Sequence, residues 1–210
     1  MAPAEAVALA PFDRPADAQP IADLLARAMG TGWFAPSAIQ GYVNPPGEEA
    51  AEPAARFGLL AREAASGALV GALLAEAVPP DRFAGTFLGT MADFADEPLV
   101  ARLAGRTAGL ISGIAVEERA RGRGIATRLI EAGVEALRRR GAVRSYAFAW
   151  TSAARGCHLG GVLERVGFAP VRRLEEAYHD FSLRHDCRCP FCGQPCRCAA
   201  WLYVRLDDVE

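Results

Sequence analysis

Residues 110–126 read LISGIAVEERARGRGIA, Leu110 to Ala126, and their order decides the fold. An apolar, β-rich run (Leu110, Ile111, Ile114, Val116) leads into Arg121-Gly122-Arg123-Gly124-Ile125-Ala126. A long amphipathic stretch follows, so the segment predicts a strand, a glycine-rich turn and a helix N-terminus. That arrangement is a ready anion site, because unpaired N–H groups and the positive end of the helix dipole point the same way. Glycine carries no Cβ penalty in the left-handed region and lets the main chain approach an oxygen closely. A pyrophosphate can therefore be held by backbone donors alone.

The spacing R-x-x-G-x-A, with strand before and helix after, resembles the acyl-CoA-binding motif of the GNAT superfamily of N-acetyltransferases. The resemblance is strongest over 110–168 and extends over most of the chain. It implies an α/β fold with a mixed, curved β-sheet flanked by helices. It also implies acetyl-CoA as co-substrate and an amine as acceptor. By position, pantetheine contacts fall at Ile114, Ala115 and Val116, and the pyrophosphate loop covers Arg121, Gly122, Arg123, Gly124, Ile125, Ala126 and Thr127. Two other readings of the glycines stay open. Gly122-x-Gly124-x-x-Thr127 half-matches a dinucleotide fingerprint, but the acid expected some twenty residues on is missing from Val143-Arg144-Ser145-Tyr146. A strand–turn–helix that binds nothing is the other.

Working outward, Ala6–Leu9 predicts a first strand. Asp17 is placed to cap a helix whose apolar face is Ile21, Leu24, Leu25 and Met29. Residues 30–53 are rich in Gly and Pro and predict loop, with Trp33 and Phe34 folding back over the core. Strands at Phe57–Ala61 and Ala68–Ala77 flank a Ser66-Gly67 turn. Residues 79–107 form an insertion before the motif strand, with Phe83, Phe87, Met91 and Phe94, and a helix near Glu97–Leu103. Its aromatics could wall an acceptor pocket or serve as a lid on the core. The motif helix is expected over Ile125–Arg140, with Ile125, Leu129, Ile130, Val134 and Leu137 inward and Gly141 as its stop. A strand at Val143–Thr151, a short helix at Cys157–Val166, and strands at Arg172–His179 and Ala200–Leu206 complete one 210-residue acyltransferase domain.

Five of the six cysteines fall in CRCPFCGQPCRC, Cys187 to Cys198. In a reducing compartment such crowding favours a metal over a disulfide framework. Four thiolates point to a structural zinc held by Cys189, Cys192, Cys196 and Cys198 in a loop over 185–199. Cys187 is the spare and His185 a possible substitute. A redox switch, and a knuckle that binds RNA or another protein, are the competing uses of the loop.

Net charge is −2 and the pI about 6.0, which gives no global field for nucleic acid or an anionic membrane. No apolar run is long enough to span a bilayer. MAPAEAVALAPFDRPADA lacks a basic leader, so the expected location is the cytoplasm, as a monomer or homodimer. All basic residues besides His are Arg; the chain has no Lys.

The resemblance also implies a tyrosine four residues before the Gly167-Phe168 pair, as donor to the leaving thiolate; here that residue is Leu163. A glutamate base that some members carry on the motif strand corresponds to Leu110. Candidates to replace them are His158, just before the short helix, and Tyr178, with Tyr146 and His179 behind. His158 could equally be a surface histidine at a helix start. Cys157 is better read as a structural thiol than as a nucleophile, since direct transfer needs none. The missing tyrosine leaves a catalytically degenerate acyl-CoA-binding regulator as the rival to an N-acetyltransferase.

Overall fold

The computed structural model describes residues 6–44, 56–85, 106–152, 156–157 and 159–206. Strand β1 is Val7–Pro11, β2 Arg56–Glu63, β3 Leu69–Val78, β4 Ala108–Val116, β5 Arg144–Thr151, β6 Phe168–Leu174 and β7 Ala199–Leu206. Helix α1 is Ala18–Met29, α2 Pro36–Gln40, α3 Ile125–Arg139, α4 Gly160–Arg165 and α5 His179–Arg184. The strands make one mixed, curved, open sheet in the order β1-β2-β3-β4-β5-β7-β6. Among the described residues the only parallel pair is β4 with β5.

That parallel pair is short. It runs from Ala108 opposite Arg144 to Ile111 opposite Ala147 and then stops. Beyond it β4 continues against β3, and β5 continues against β7, so the sheet parts in the middle. At the parting β4 also carries a bulge: Leu74 faces Gly113 and Ala75 faces Ile111, which leaves Ser112 as the extra residue. A bulge bends a strand and raises its local twist, which helps the two halves diverge.

Both faces of the sheet are buried, so its central strands read as near-continuous apolar runs. On one face Phe57, Leu73 and Ala75 meet Leu129, Ile130, Val134 and Leu137 of α3. On the other, Leu60, Ala72 and Leu74 meet Ile21, Leu24 and Leu25 of α1. The predicted stripe of α3 is therefore the observed one, and Glu135 pairs with Arg139 at 3.2 Å on the wet side. Gly141, at φ +79°, ends the helix as expected.

Three local expectations are corrected. Asp17 sits at the N-cap of α1 but makes no capping bond. Its carboxylate instead receives Arg14 and, at 2.7 Å, Arg62. Next, β6 begins at Phe168 rather than Arg172. Pro170 falls inside it, and β6 is the sheet's outer edge, where a missing N–H costs no ladder bond. The short helix α4 also starts at Gly160, later than Cys157. The segment 86–105 of the insertion, with its expected helix, lies outside the described residues, as does His158.

Candidate functional site

The parting of β4 and β5 opens a cleft of about 820 Å³. One wall is β4 from Leu110 to Val116, including Ile114, Ala115 and Val116. At one end lie Arg121, Gly122, Gly124, Ile125, Ala126 and Thr127. Arg123 is the member of the expected loop that does not line the cleft; its charge acts on Glu63 instead.

The loop earns its shape from glycine. Gly122 has φ +77° and Gly124 φ +73°, and a Cβ on either would meet nothing within 4 Å. The strain of a side chain here is one of backbone angle, and the space in front is open. Gly124 is the N-cap of α3, with no side-chain cap. The N–H groups of Ile125, Ala126 and Thr127 therefore have no acceptor within the helix. The loop is anchored from behind by ion pairs of Arg27 with Glu117 and of Arg119 with Glu63. Arg119 and the Ser66 hydroxyl, 2.9 Å away, hold the Glu63 carboxyl below its usual range.

The other end of the cleft is aromatic, with Trp33, Phe34, Trp150, Tyr178, Phe181 and Phe191 in its wall. Trp33 meets Trp150 edge-on at 4.9 Å and Tyr178 at 5.3 Å, and lies parallel to Phe181 at 5.6 Å. Phe34 lies on β4: a Cβ at Gly113 would be 2.8 Å from its Cζ. The expectation that Trp33 and Phe34 fold back over the sheet is met, with the rings lining a cleft. Trp150 and Phe181 were missed. No local pattern marks them, because they come from the end of β5 and from α5.

The sequence-derived proton carriers separate. Tyr178 lies not on a strand but at the N-cap of α5, half-buried in the cleft wall. Burial pushes its hydroxyl well above the usual phenol range, so it holds its proton. Tyr146 is 1% exposed in a core cluster with Val78 and Ala108, away from the cleft lining. The His179 ring pairs with Asp180 at 2.8 Å and is not in the lining. Leu163 is fully buried among core side chains, so its position does not open on the cleft. Leu110 does line it.

Behind the aromatic wall lies the cysteine loop. The Sγ atoms of Cys189, Cys192, Cys196 and Cys198 all lie within 4.8 Å of one another. Cys198 Sγ is 3.6 Å from both Cys189 Sγ and Cys192 Sγ, and Cys192 to Cys196 is 4.0 Å. A tetrahedral Zn–S bond of about 2.3 Å sets an S···S edge of roughly 3.8 Å, whereas a disulfide needs about 2.05 Å. The set therefore fits a tetrathiolate metal and no disulfide. Backbone N–H groups already point at the sulfurs: Phe191 at Cys189 (3.4 Å) and Arg197 at Cys192 (3.2 Å). Cys187 is buried outside the set, with its thiol toward His185 O, and the His185 ring lies tilted against Phe181 at 4.3 Å. The buried Ser182 hydroxyl accepts the Cys196 N–H at 2.9 Å, fixing α5 to the loop. Arg188 N–H donates to Thr31 O at 2.9 Å, joining the loop to the end of α1. At that seam a Cβ on Gly30 would lie 1.9 Å from Arg188 O, so only glycine fits.

A parted sheet with a glycine loop and a helix N-terminus at the gap has known relatives. The profile of the acetyltransferase (GNAT) family matches residues 33–168. The chain belongs to the GNAT acetyltransferase family. No curated protein matches it in sequence. Among solved structures it is similar to NAA60 of Arabidopsis thaliana in complex with acetyl-CoA, at 17% identity, 97% and 100% coverage of the two chains and a TM-score of 0.65. A GNAT-family acetyltransferase of Streptococcus pneumoniae aligns at 13% identity, 96% and 100% coverage and a TM-score of 0.60. The IAA acetyltransferase of Bacillus cereus aligns at 15%, 95% and 99%, and 0.53. At these identities the structures share the fold of this GNAT chain. Among the described residues no helix is long and apolar enough to cross a membrane.

Proposed function

We propose that this chain is an acetyl-CoA-dependent N-acetyltransferase that moves an acetyl group directly to an amine. The observation that carries this is the cleft at the parting of β4 and β5, with main-chain anion donors at one end and an enclosed wall at the other. Residues 121–127 receive the pyrophosphate, and Ile114, Ala115 and Val116 receive the pantetheine arm. The acceptor approaches from the aromatic end.

In the transfer, the neutral amine nitrogen attacks the thioester carbonyl carbon. A C–N bond forms, the C–S bond breaks, and the thiolate leaves. The nitrogen loses one proton and the thiolate gains one. A thiolate is a good leaving group, so positioning and backbone N–H donors can supply much of the rate. Tyr178 is our candidate donor to the thiolate, because its residue stands in the wall of the cleft. His158 is the other candidate proton carrier.

We further propose one structural zinc per chain on Cys189, Cys192, Cys196 and Cys198. With four protein ligands it has no open position, so it orders the loop and takes no part in the chemistry. A cytoplasmic monomer or homodimer, acting without nucleic acid or membrane, completes the proposal.

A thiol-release assay with acetyl-CoA over a panel of amines tests the activity. Thiol release that depends on an amine is expected. Acetyl-CoA binding in calorimetry with no release on any amine would make the chain a regulator, as the buried Leu163 would suit. Tyr178→Phe or His158→Gln, whichever carries the proton, should lower turnover about 10²-fold with CoA binding intact.

A further inference from the structure

We infer that the aromatic end of the cleft is a receptor for an amine carried on a flat aromatic body with no second positive charge, that is, an aryl- or aralkylamine. This rests on the proposed N-acetyl transfer, and names its acceptor class.

The first support is charge. Among the described residues lining the cleft there is no Asp or Glu. The lining has two charged side chains, Arg121 and Arg165, and both belong to the α3 end. Arg121 is in the loop before α3, and Arg165 also borders a second, smaller cleft against Glu131 and Arg138 of α3. A diamine, an aminoglycoside-like polycation or a basic peptide would bring cationic groups against a described lining that offers no counter-charge. Burying such a charge unpaired is costly.

The second support is shape. Trp33, Trp150, Tyr178 and Phe181 meet at centroid distances of 4.9 to 5.6 Å and enclose the cleft end with ring faces and edges. A guest ring completes such a set by offset or edge contacts, which a flexible alkyl chain does not reproduce.

The third support is rigidity. Trp33 follows the Gly30–Thr31 seam that pairs with Arg188, and with Trp150 and Tyr178 it packs on Cys189, Cys196 and Cys198. Phe181 shares α5 with Ser182, which is bonded to Cys196. The rings are therefore held from behind by the cysteine loop. A wall fixed in advance selects by fit, because the cost of ordering it has already been met.

Two of the three tryptophans, Trp33 and Trp150, are in this wall, so occupancy can be read without turnover. The CoA-bound protein is titrated with phenethylamine and, separately, with cadaverine, following intrinsic fluorescence. In parallel, kcat/KM for both amines is measured by thiol release. Phenethylamine should quench the fluorescence saturably, and its kcat/KM should exceed that of cadaverine roughly 10–100-fold, the worth of burying one ring. Phe181→Glu, on a half-exposed ring of a surface helix, places a carboxylate at the wall. It should shift that ratio toward cadaverine at least about tenfold, as a counter-charge for the second ammonium. Cadaverine used as well as phenethylamine, no saturable quenching by phenethylamine, or an equal effect of Phe181→Glu on both amines would overturn the receptor. Saturable quenching with no thiol released from any amine of the panel would leave the receptor standing and remove the transferase reading.

Discussion

The glycine loop at 121–127 and the cysteine loop at 187–198 are both shaped for a charged guest, and they are built in opposite ways. The first uses the main chain. Its glycines face open space, its helix N-terminus lacks a side-chain cap, and one of its arginines, Arg123, turns elsewhere without spoiling the cradle. The second uses side chains. Cys189, Cys196 and Cys198 are buried, and the sulfurs are at ligand spacing. A main-chain site tolerates drift in its side chains; a side-chain site survives drift nowhere. The cleft lies between the two, so each loop should govern one substrate.

The sharpest way to break that division is to strip the proposed zinc. Chelation under reducing conditions, or Cys196→Ser, should empty the cysteine loop and loosen the aromatic wall. Amine turnover should then fall about 10²-fold, the scale of a misplaced reactant, with CoA affinity held. Elemental analysis, thiol release and calorimetry on the same samples check this. Metal-free protein with full turnover would show that the loop supports nothing in the cleft.

Gly124→Val is the reverse experiment. A β-branched residue at φ +73° strains the N-cap and fills the space in front of the helix. CoA affinity should fall several-fold to a hundredfold, roughly 1–3 kcal/mol, with zinc content unchanged. An unaltered affinity by calorimetry would remove the phosphate assignment.

Leu163→Tyr asks whether the missing phenol can be restored by sequence alone. Leu163, on α4, is fully enclosed in the core, so the larger ring should overpack it at a cost of about 1–3 kcal/mol. Denaturant unfolding should show that loss, and turnover should not rise. A gain in turnover would mean that α4 can turn this position toward the cleft.

The smallest effect belongs to the anchor of the glycine loop. Arg119 and Ser66 depress the Glu63 carboxyl, so its contribution is present above the unfolded carboxylate pKa and lost as pH falls through the folded one. Glu63→Gln should lower the melting temperature slightly at neutral pH, and the gap from the parent should close in acid. A gap that persists in acid would assign the anchor to shape rather than charge.

How far the sequence could be read tracks the same division. The β4–loop–α3 unit is contiguous, so its periodicity and glycines located it to within a residue at the helix end. The four cysteines are contiguous too, and their spacing named the ligand set that the sulfur distances fit. The aromatic wall was legible only at Trp33 and Phe34. Trp150, Tyr178 and Phe181 reach it because β5 and β7 pair beyond the parting and α5 packs on the cysteine loop, and neither fact has a local signature. The strand expected over Arg172–His179 misplaces Tyr178, because β6 runs earlier, over Phe168–Leu174, and crosses Pro170 on an edge that tolerates proline.

The seam between Gly30–Thr31 and Arg188 also orders events in time. Its two sides are about three quarters of the chain apart, so closing it carries the loop-closure cost that makes distant contacts form late. During synthesis the segment holding Trp33 emerges long before the segment that covers it. The cysteine loop can settle against Trp33 only once sheet and helices already stand. In small zinc modules the metal is the nucleus that folds the chain. Here its capture would be the closing step, and metal content in a preparation would count the molecules that finished folding.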